Sequence, residues 1–243
     1  MSPQQHTVKQ FDEELNELKS MVLSLGGLVE KAIADSIRAL QSHDTSLAHS
    51  TIDNDRAINA LEVKCDLLTS RIIALRQPAA SDLRFIMTAI KVVTDLERMG
   101  DLAVGICEGT LFLDELPVQP RISLAAMSQL VQSQVSASLD ALSRGDVALA
   151  MRVIEQDVAI DEMYRTAYRE MLTHMLESPQ QISAYITLGN VIKNLERIGD
   201  HATNVCEMVI YMERGHDVRH VDHQALEGLL KGFDEDPSSA DRL

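Results

Sequence analysis

The seven residues DLERMGD at 95–101 return almost unchanged as NLERIGD at 194–200. Each copy places a glutamate and an aspartate four residues apart: Glu97 with Asp101, and Glu196 with Asp200. Residues at this spacing lie on the same face of a helix. Such a carboxylate pair can bind a cation through its oxygen atoms, or it can be an ordinary pair of hydrated neighbours.

The surroundings of each pair are apolar. At 100° per residue, Ile90, Val93 and Val104 fall within about 40° of Glu97 around an ideal helix. Ionised carboxylates on such a stripe destabilise the fold unless a cation binds them or hydrogen-bond donors pair with them. The pattern therefore favours a ligand role over a hydrated surface.

A second set of polar pairs has the same spacing: Asp55 with Asn59, and Asp157 with Asp161. In an antiparallel helical hairpin, residues equidistant from the turn lie at the same height. Turns at Pro78 and at Ser178-Pro179 would bring these pairs level with the two Glu–Asp pairs. The sequence thus predicts oxygen-only ligand sets, typical of sites for Mg, Ca, Mn or Fe, in which bridging carboxylates can hold more than one ion. The predicted metal ligands are Asp55, Glu97, Asp101, Asp157, Asp161, Glu196 and Asp200.

An alternative without metal stays open at this point. Arg98 and Arg197 could neutralise the acids, and Asp55, Asn59, Glu62 and Asp66 share a stripe that looks hydrated. Motifs of the HExxH, GxSxG and GxxxxGK[ST] types are absent from the sequence. A metal-dependent hydrolase is therefore the alternative to a non-enzymatic function, and no nucleophile or general base is evident beside the acids.

The elements that must position these residues are themselves repeated. Residues 28–58 match 130–160 without gaps at 12 of 31 positions, and residues 92–108 match 191–207 at nine of 17. Breaks within each unit separate three long helices, so we predict an all-α fold of two tandem three-helix bundles with six antiparallel helices. The predicted divisions are a first bundle (1–113), a linker (114–121), a second bundle (122–215) and a largely disordered C-terminal segment (216–243).

Composition supports this fold and excludes several functions. Aromatic residues make up 3% of the chain, which has 11 Gly and 6 Pro, too few for a sheet protein. A formal net charge of −15 argues against nucleic acid as a partner. The uncharged stretch 122–139 holds eight Ser or Gln residues, so it predicts an amphipathic helix and not a membrane span. The odd number of cysteines (Cys65, Cys107 and Cys206) indicates buried, reduced thiols in a cytoplasmic protein.

Taken together, these residues resemble the PhoU family of phosphate-specific transport system accessory proteins. The resemblance is carried by LERMGD and LERIGD at matching positions, and by GGLVE (26–30), RQPAASDLR (76–84) and VRHV (218–221). It extends from about Phe11 to Leu230. Asn59 departs from the acidic pattern of that family, in which the matching residue is a carboxylate.

The resemblance implies a cytoplasmic, usually homodimeric regulator that reaches the membrane only through its partners. It implies negative regulation of the phosphate-starvation response, by coupling the ATPase subunit of the phosphate ABC transporter to a sensor histidine kinase, and restraint of phosphate uptake. It also implies multinuclear clusters of divalent or iron-type ions on E(D)xxxD motifs. A third expectation, that the acids bridge to membrane phospholipid through cations, follows from the net charge.

Overall fold

The computed structural model of the chain describes residues 3–117 and 122–218, with side chains from residue 9 onward. Long α-helices joined by short turns make up most of these residues, and a 3-10 turn (Pro179–Gln181) precedes the last of them. The helices are α1 (Pro3–Ser42), α2 (Thr45–Arg76), α3 (Ala80–Asp114), α4 (Ala125–Arg144), α5 (Val147–Glu177) and α6 (Ile182–Arg214). Neither described range contains a β-strand, and the all-α prediction is confirmed.

The same local signal starts the second helix of each unit. Asp44 caps α2 by accepting a hydrogen bond from the backbone N–H of Leu47, and Asp146 caps α5 through that of Leu149, each at 2.9 Å. A side-chain oxygen at this position satisfies an N–H that has no partner within the helix. Gly145 and Gly215 end α4 and α6 in the left-handed conformation, with φ of 64° and 75°.

Each unit is a three-helix bundle. Helices α1, α2 and α3 pack on one another, and α4, α5 and α6 do the same. Of the predicted linker and C-terminal segment, residues 118–121 and 219–243 lie outside the described residues. Within the described part of the chain, no helix is long and apolar enough to cross a membrane.

Gly26 and Gly27 predict an irregularity in α1, and this prediction is wrong. The helix runs unbroken through both residues. A Cβ at Gly26 would lie 2.7 Å from Cδ2 of Leu139, whereas nothing lies within 4 Å of one at Gly27. Gly26 therefore permits a close approach of α1 to α4. The helix tolerates both glycines because its backbone hydrogen bonding continues through them.

The two bundles share one apolar core. Buried residues from both units, such as Val93 of α3 and Ile192 of α6, belong to a single contiguous cluster. The largest contact between any two helices joins α3 to α6, the helices that carry the repeated motif. Helix α3 packs against α1, α2 and α6, and α6 packs against α3, α4 and α5.

Candidate metal-binding faces

The first acidic face lies where α2 meets α3, and we define it by Asp55, Asn59, Glu97 and Asp101. Burial raises the pKa of Asp55, and repulsion from Asp101 adds to the rise. Burial likewise raises the pKa of Glu97, with further repulsion from Asp101, Glu62 and Asp55. These side chains from two helices therefore feel one another's charge, and they lie level as the hairpin geometry predicts.

Asp55 anchors this face with one satisfied oxygen and one unsatisfied oxygen. Asn59 donates a hydrogen bond to Asp55 Oδ2 at 2.9 Å. Oδ1 is buried and has no hydrogen-bond donor. An orphaned buried carboxylate oxygen costs free energy unless a cation or a donor meets it.

The second acidic face lies where α5 meets α6, and we define it by Asp157, Asp161, Glu196 and Asp200. Burial raises the pKa of Asp157, and the charges of Asp161 and Glu196 raise it further. The pKa of Asp200 rises to about 6, first through loss of hydration and then through repulsion from Glu196 and Asp157. The face thus gathers four carboxylates whose mutual repulsion favours a bound cation.

Three side chains form hydrogen bonds or ion pairs with the second face. The first face has no equivalent of these side chains. Gln134 donates to Asp157 Oδ1 at 3.1 Å. The ammonium of Lys193 lies 3.1 and 3.0 Å from the two oxygens of Glu196, and Arg165 reaches Asp161 at 3.2 Å. The second face is therefore partly neutralised, which the sequence pattern alone does not indicate.

A glycine in each motif also allows the neighbouring helix to lie close to the backbone. A Cβ at Gly100 would lie 3.3 Å from Asp55 Oδ1 and 3.1 Å from Ile58 Cδ1. A Cβ at Gly199 would lie 3.2 Å from Asp157 Oδ1. Both glycines thus let the aspartate of the neighbouring helix approach the backbone beside the Glu–Asp pair, as their position in a packed helix predicts.

The alternative based on arginine does not describe this structure. Among the described residues, neither Arg98 nor Arg197 forms an ion pair. Arg98 lies instead in a cleft between α3 and α6, where its charge acts on Glu97 only at a distance. Within the part of the chain that the structure describes, the acids of the first face therefore form no ion pair.

The donor set fits a hard cation and not a thiolate site. Cys65, Cys107 and Cys206 are free and buried, and burial raises the pKa of the Cys107 thiol to about 11. Within the described ranges, no three His, Cys, Asp or Glu side chains already converge closely enough to hold an ion. Binding of an ion at either face would therefore require the side chains to move. The metal role of all seven predicted ligands stays a prediction.

Three residues beside the two faces are not among the predicted ligands: Glu62, which the sequence places on the hydrated stripe of Asp55, and Gln134 and Lys193. Burial raises the pKa of Glu62, and the charges of Asp66 and Asp101 contribute, so Glu62 belongs beside the first face. The alignment of the repeats held a signal for the other two. At matching positions, the first unit has Ala32 instead of Gln134 and Thr94 instead of Lys193.

The fold and the paired acidic faces define a class of proteins built from two tandem three-helix bundles with E(D)xxxD motifs on their central helices. Comparison with known proteins identifies a family within this class. The family model described as the PhoU domain matches residues 22–110 and again 124–209. The chain belongs to the PhoU family.

Individual relatives agree over nearly the whole chain. The phosphate-specific transport system accessory protein PhoU homolog of Pseudomonas putida is 42% identical over 229 residues, which cover 93% of this chain and 90% of that protein. PhoU of Escherichia coli K12 is 37% identical over 232 residues, covering 95% and 96%. The crystal structure of PhoU from Pseudomonas aeruginosa superposes with a TM-score of 0.82 at 42% identity, covering 85% of this chain and 100% of that one.

Proposed function

We propose that this protein is an accessory regulator of phosphate transport. It acts as a cytoplasmic adaptor between the ATPase subunit of the phosphate ABC transporter and a sensor histidine kinase. In this role it represses the phosphate-starvation response and restrains phosphate uptake. The names of its relatives, which describe accessory proteins of the phosphate-specific transport system, support the first statement. The finer statements follow from the family resemblance.

The observation that supports an adaptor function is the presence of two acidic faces on a single continuous core. The two faces lie on α3 and α6, which pack against each other across the bundle boundary. A cation bound at either face would fix the side chains of two helices and remove their repulsion. Metal binding would thereby shape a surface for a partner without any catalytic step.

Binding of purified partners tests this function. The ATPase subunit and the cytoplasmic region of the kinase should each bind the metal-loaded protein, with weaker binding after chelation. An Asp101→Asn, Asp200→Asn double variant should bind as the chelated protein does. The matched control is Asp12→Asn, Asp53→Asn, which makes the same change of charge at exposed positions. Absence of binding to both partners, with and without metal and phosphate, would refute the adaptor.

A homodimer is part of the proposal. Leu67 of α2 and Leu176 of α5 are 67% and 84% exposed, and further large apolar side chains on both helices are also exposed. Burial of such residues is the usual driving force for association. Light scattering after size exclusion should give twice the mass of 26.9 kDa, and Leu67→Lys with Leu176→Lys should return the protein to a monomer.

A metal-dependent hydrolase of phosphate esters is the alternative. It is favoured only by the paired acids, whose oxygens could hold a metal ion that activates water. The alternative requires metal-dependent turnover of a phosphate ester that disappears in Asp200→Asn. Turnover that is equal in that variant and in Asp53→Asn would eliminate it.

A further inference from the structure

A cavity of about 440 Å³ opens between the two bundles, away from both acidic faces. Four elements meet there: α1, the first turn of α3, the turn between α4 and α5, and the end of α6. Its walls therefore belong to both halves of the repeat. The size leaves room for a small ligand together with a few water molecules.

Three basic side chains from three different helices line this cavity: Lys19 of α1, Arg84 of α3 and Arg144 at the end of α4. In a chain of net charge −15, basic side chains have many carboxylates available. Yet within the described part of the chain, Lys19 and Arg84 form no ion pair. Arg144 reaches only Asp140, at 3.7 Å and with both side chains exposed, a contact of little energetic weight.

Arg84 carries a more specific sign of a missing partner. Its Nε atom is buried and has no hydrogen-bond acceptor. Buried guanidinium N–H groups in native proteins are almost always paired, most strongly with carboxylates and phosphates. The neighbouring start of α3 has no side-chain cap at Ala79, and the Ser81 hydroxyl lines the same space. The Arg84 guanidinium, the Ser81 hydroxyl and the first N–H groups of α3 are all hydrogen-bond donors, the kind of group that binds an anion.

Two carboxylates, Asp82 and Glu213, also line the cavity. The second is seated close to the turn between α4 and α5, since a Cβ at Gly145 would lie 2.5 Å from Glu213 Oε1. Carboxylates repel a fully ionised oxyanion such as sulfate. Inorganic phosphate, however, keeps a proton on one oxygen near neutral pH, and this P–OH can donate to a carboxylate. A mixed set of cations and acids therefore selects phosphate over sulfate.

We propose that this inter-bundle cavity is a binding site for inorganic phosphate, held by Lys19, Arg84 and Arg144 and selected through Asp82 or Glu213. Because the ligands come from both bundles, occupancy restrains one bundle relative to the other. The proposal goes beyond the adaptor function and rests on it only for its biological meaning. It gives the regulator direct contact with the ion whose supply it reports.

Calorimetric titration of the full-length protein with phosphate tests this site. The protein is first stripped with a chelator and dialysed, so that no metal at the acidic faces can hold the anion, and ionic strength is kept constant with chloride. We expect saturable binding of one phosphate per chain, weaker by at least about tenfold for sulfate. Arg84→Gln and Lys19→Gln should each weaken phosphate binding by about tenfold or more.

Arg56→Gln is the matched control, because Arg56 is exposed on α2 and does not line the cavity. Its affinity for phosphate should stay within about twofold of the parent. Lys19 is exposed, so its variant keeps the test valid if Arg84→Gln does not fold. Absence of saturable binding, equal affinity for sulfate, or equal losses in Lys19→Gln and Arg56→Gln would each overturn the proposal. None of these results bears on partner binding, which is measured with the ATPase subunit and the kinase.

Discussion

At the scale of single residues, the two acidic faces differ in how their central aspartate is satisfied. Asp157 Oδ1 accepts a hydrogen bond from Gln134, whereas the equivalent Asp55 Oδ1 has no donor. The difference follows from the first helix of each unit, which carries Ala32 in one case and Gln134 in the other. The first face consequently lacks the donor that Gln134 supplies to the second.

The paired acids themselves could be predicted from sequence, because spacing on a helix and distance from a turn are both countable. Asp55, Glu97 and Asp101 come together as that geometry predicts. The donors Lys193 and Gln134 could not be assigned in the same way. Whether a lysine three residues before a glutamate turns toward it depends on its tertiary neighbours. Here the Lys193 ammonium also lies 5.2 Å from the ring centroid of Tyr164.

We expect the stability of the metal-free protein to depend on Asp200. Loss of hydration, followed by repulsion from Glu196, raises its pKa from 3.8 to about 6. The folded state therefore holds this proton more tightly than the unfolded chain does, so stability is greatest below pH 3.8 with respect to this group and falls as pH rises through about 6. Asp200→Asn should stabilise the metal-free protein by about 1 kcal/mol near pH 7.5, a figure reduced for the exposure of the side chain.

Urea unfolding at several pH values between about 5 and 7.5 measures this effect. The parent protein should lose stability over that interval, and the loss should be smaller in Asp200→Asn. Asp53→Asn, at an exposed position on α2, should keep the slope of the parent. Identical slopes in the parent and in Asp200→Asn would show that Asp200 is not destabilised in the fold.

At the scale of elements, helix ends follow local chemistry and are predictable, whereas close contacts between helices are not. Asp44 and Asp146 cap their helices as their side chains predict. The glycines show which contacts cannot be predicted from the sequence. Gly27 has open space beside it, while a Cβ at Gly109 would lie 2.5 Å from Val191 Cγ2. The sequence shows a glycine in a helix in both cases, and only the packing of the neighbouring helix separates them.

This contrast predicts opposite effects for one kind of substitution. Gly27→Ala should raise the free energy of unfolding by about 0.5–1 kcal/mol, because alanine favours the helix and meets no neighbour. Gly109→Ala should lower it by about 1–2 kcal/mol, since Val191 is β-branched and has little freedom to turn away. Thermal and urea unfolding of both variants provide the measurement. A stabilised Gly109→Ala protein would mean that α3 and α6 are less tightly packed than described.

At the scale of the whole molecule, the α3–α6 contact has two unlike sides. On one side, Gly105 and Gly109 of α3 fit closely against Asn194 and Val191 of α6. On the other side, the buried His201 and the half-buried Asn204 of α6 contact Asp95 Oδ1 at 2.8 and 3.1 Å. The repeat offset of 99 relates these two sides, since Asp95 corresponds to Asn194 and Gly105 corresponds to Asn204. Neither the polar pairing nor the shared core is visible in one unit alone.

We therefore expect the contacts of Asp95 with α6 to stabilise the packing of the two bundles. Asp95→Ala would leave the ring of His201 and the amide of Asn204 without their acceptor between the bundles, at a cost of about 1–3 kcal/mol in unfolding free energy. Asp53→Ala, on the exposed side of α2, should cost less than about 0.5 kcal/mol. Calorimetry should show one transition in the parent protein. Equal stability of the two variants would contradict a structural role for this contact.

We propose that the duplicated Glu–Asp motif builds a cation-binding face on each bundle. Elemental analysis of the protein purified without chelator tests it most directly, beside the Asp101→Asn, Asp200→Asn variant and the Asp12→Asn, Asp53→Asn control. We expect at least one ion per bundle in the parent and the control, and none in the double variant. A parent protein that is free of metal and melts at the same temperature as the double variant would contradict the claim and leave the repeated motif a purely structural feature.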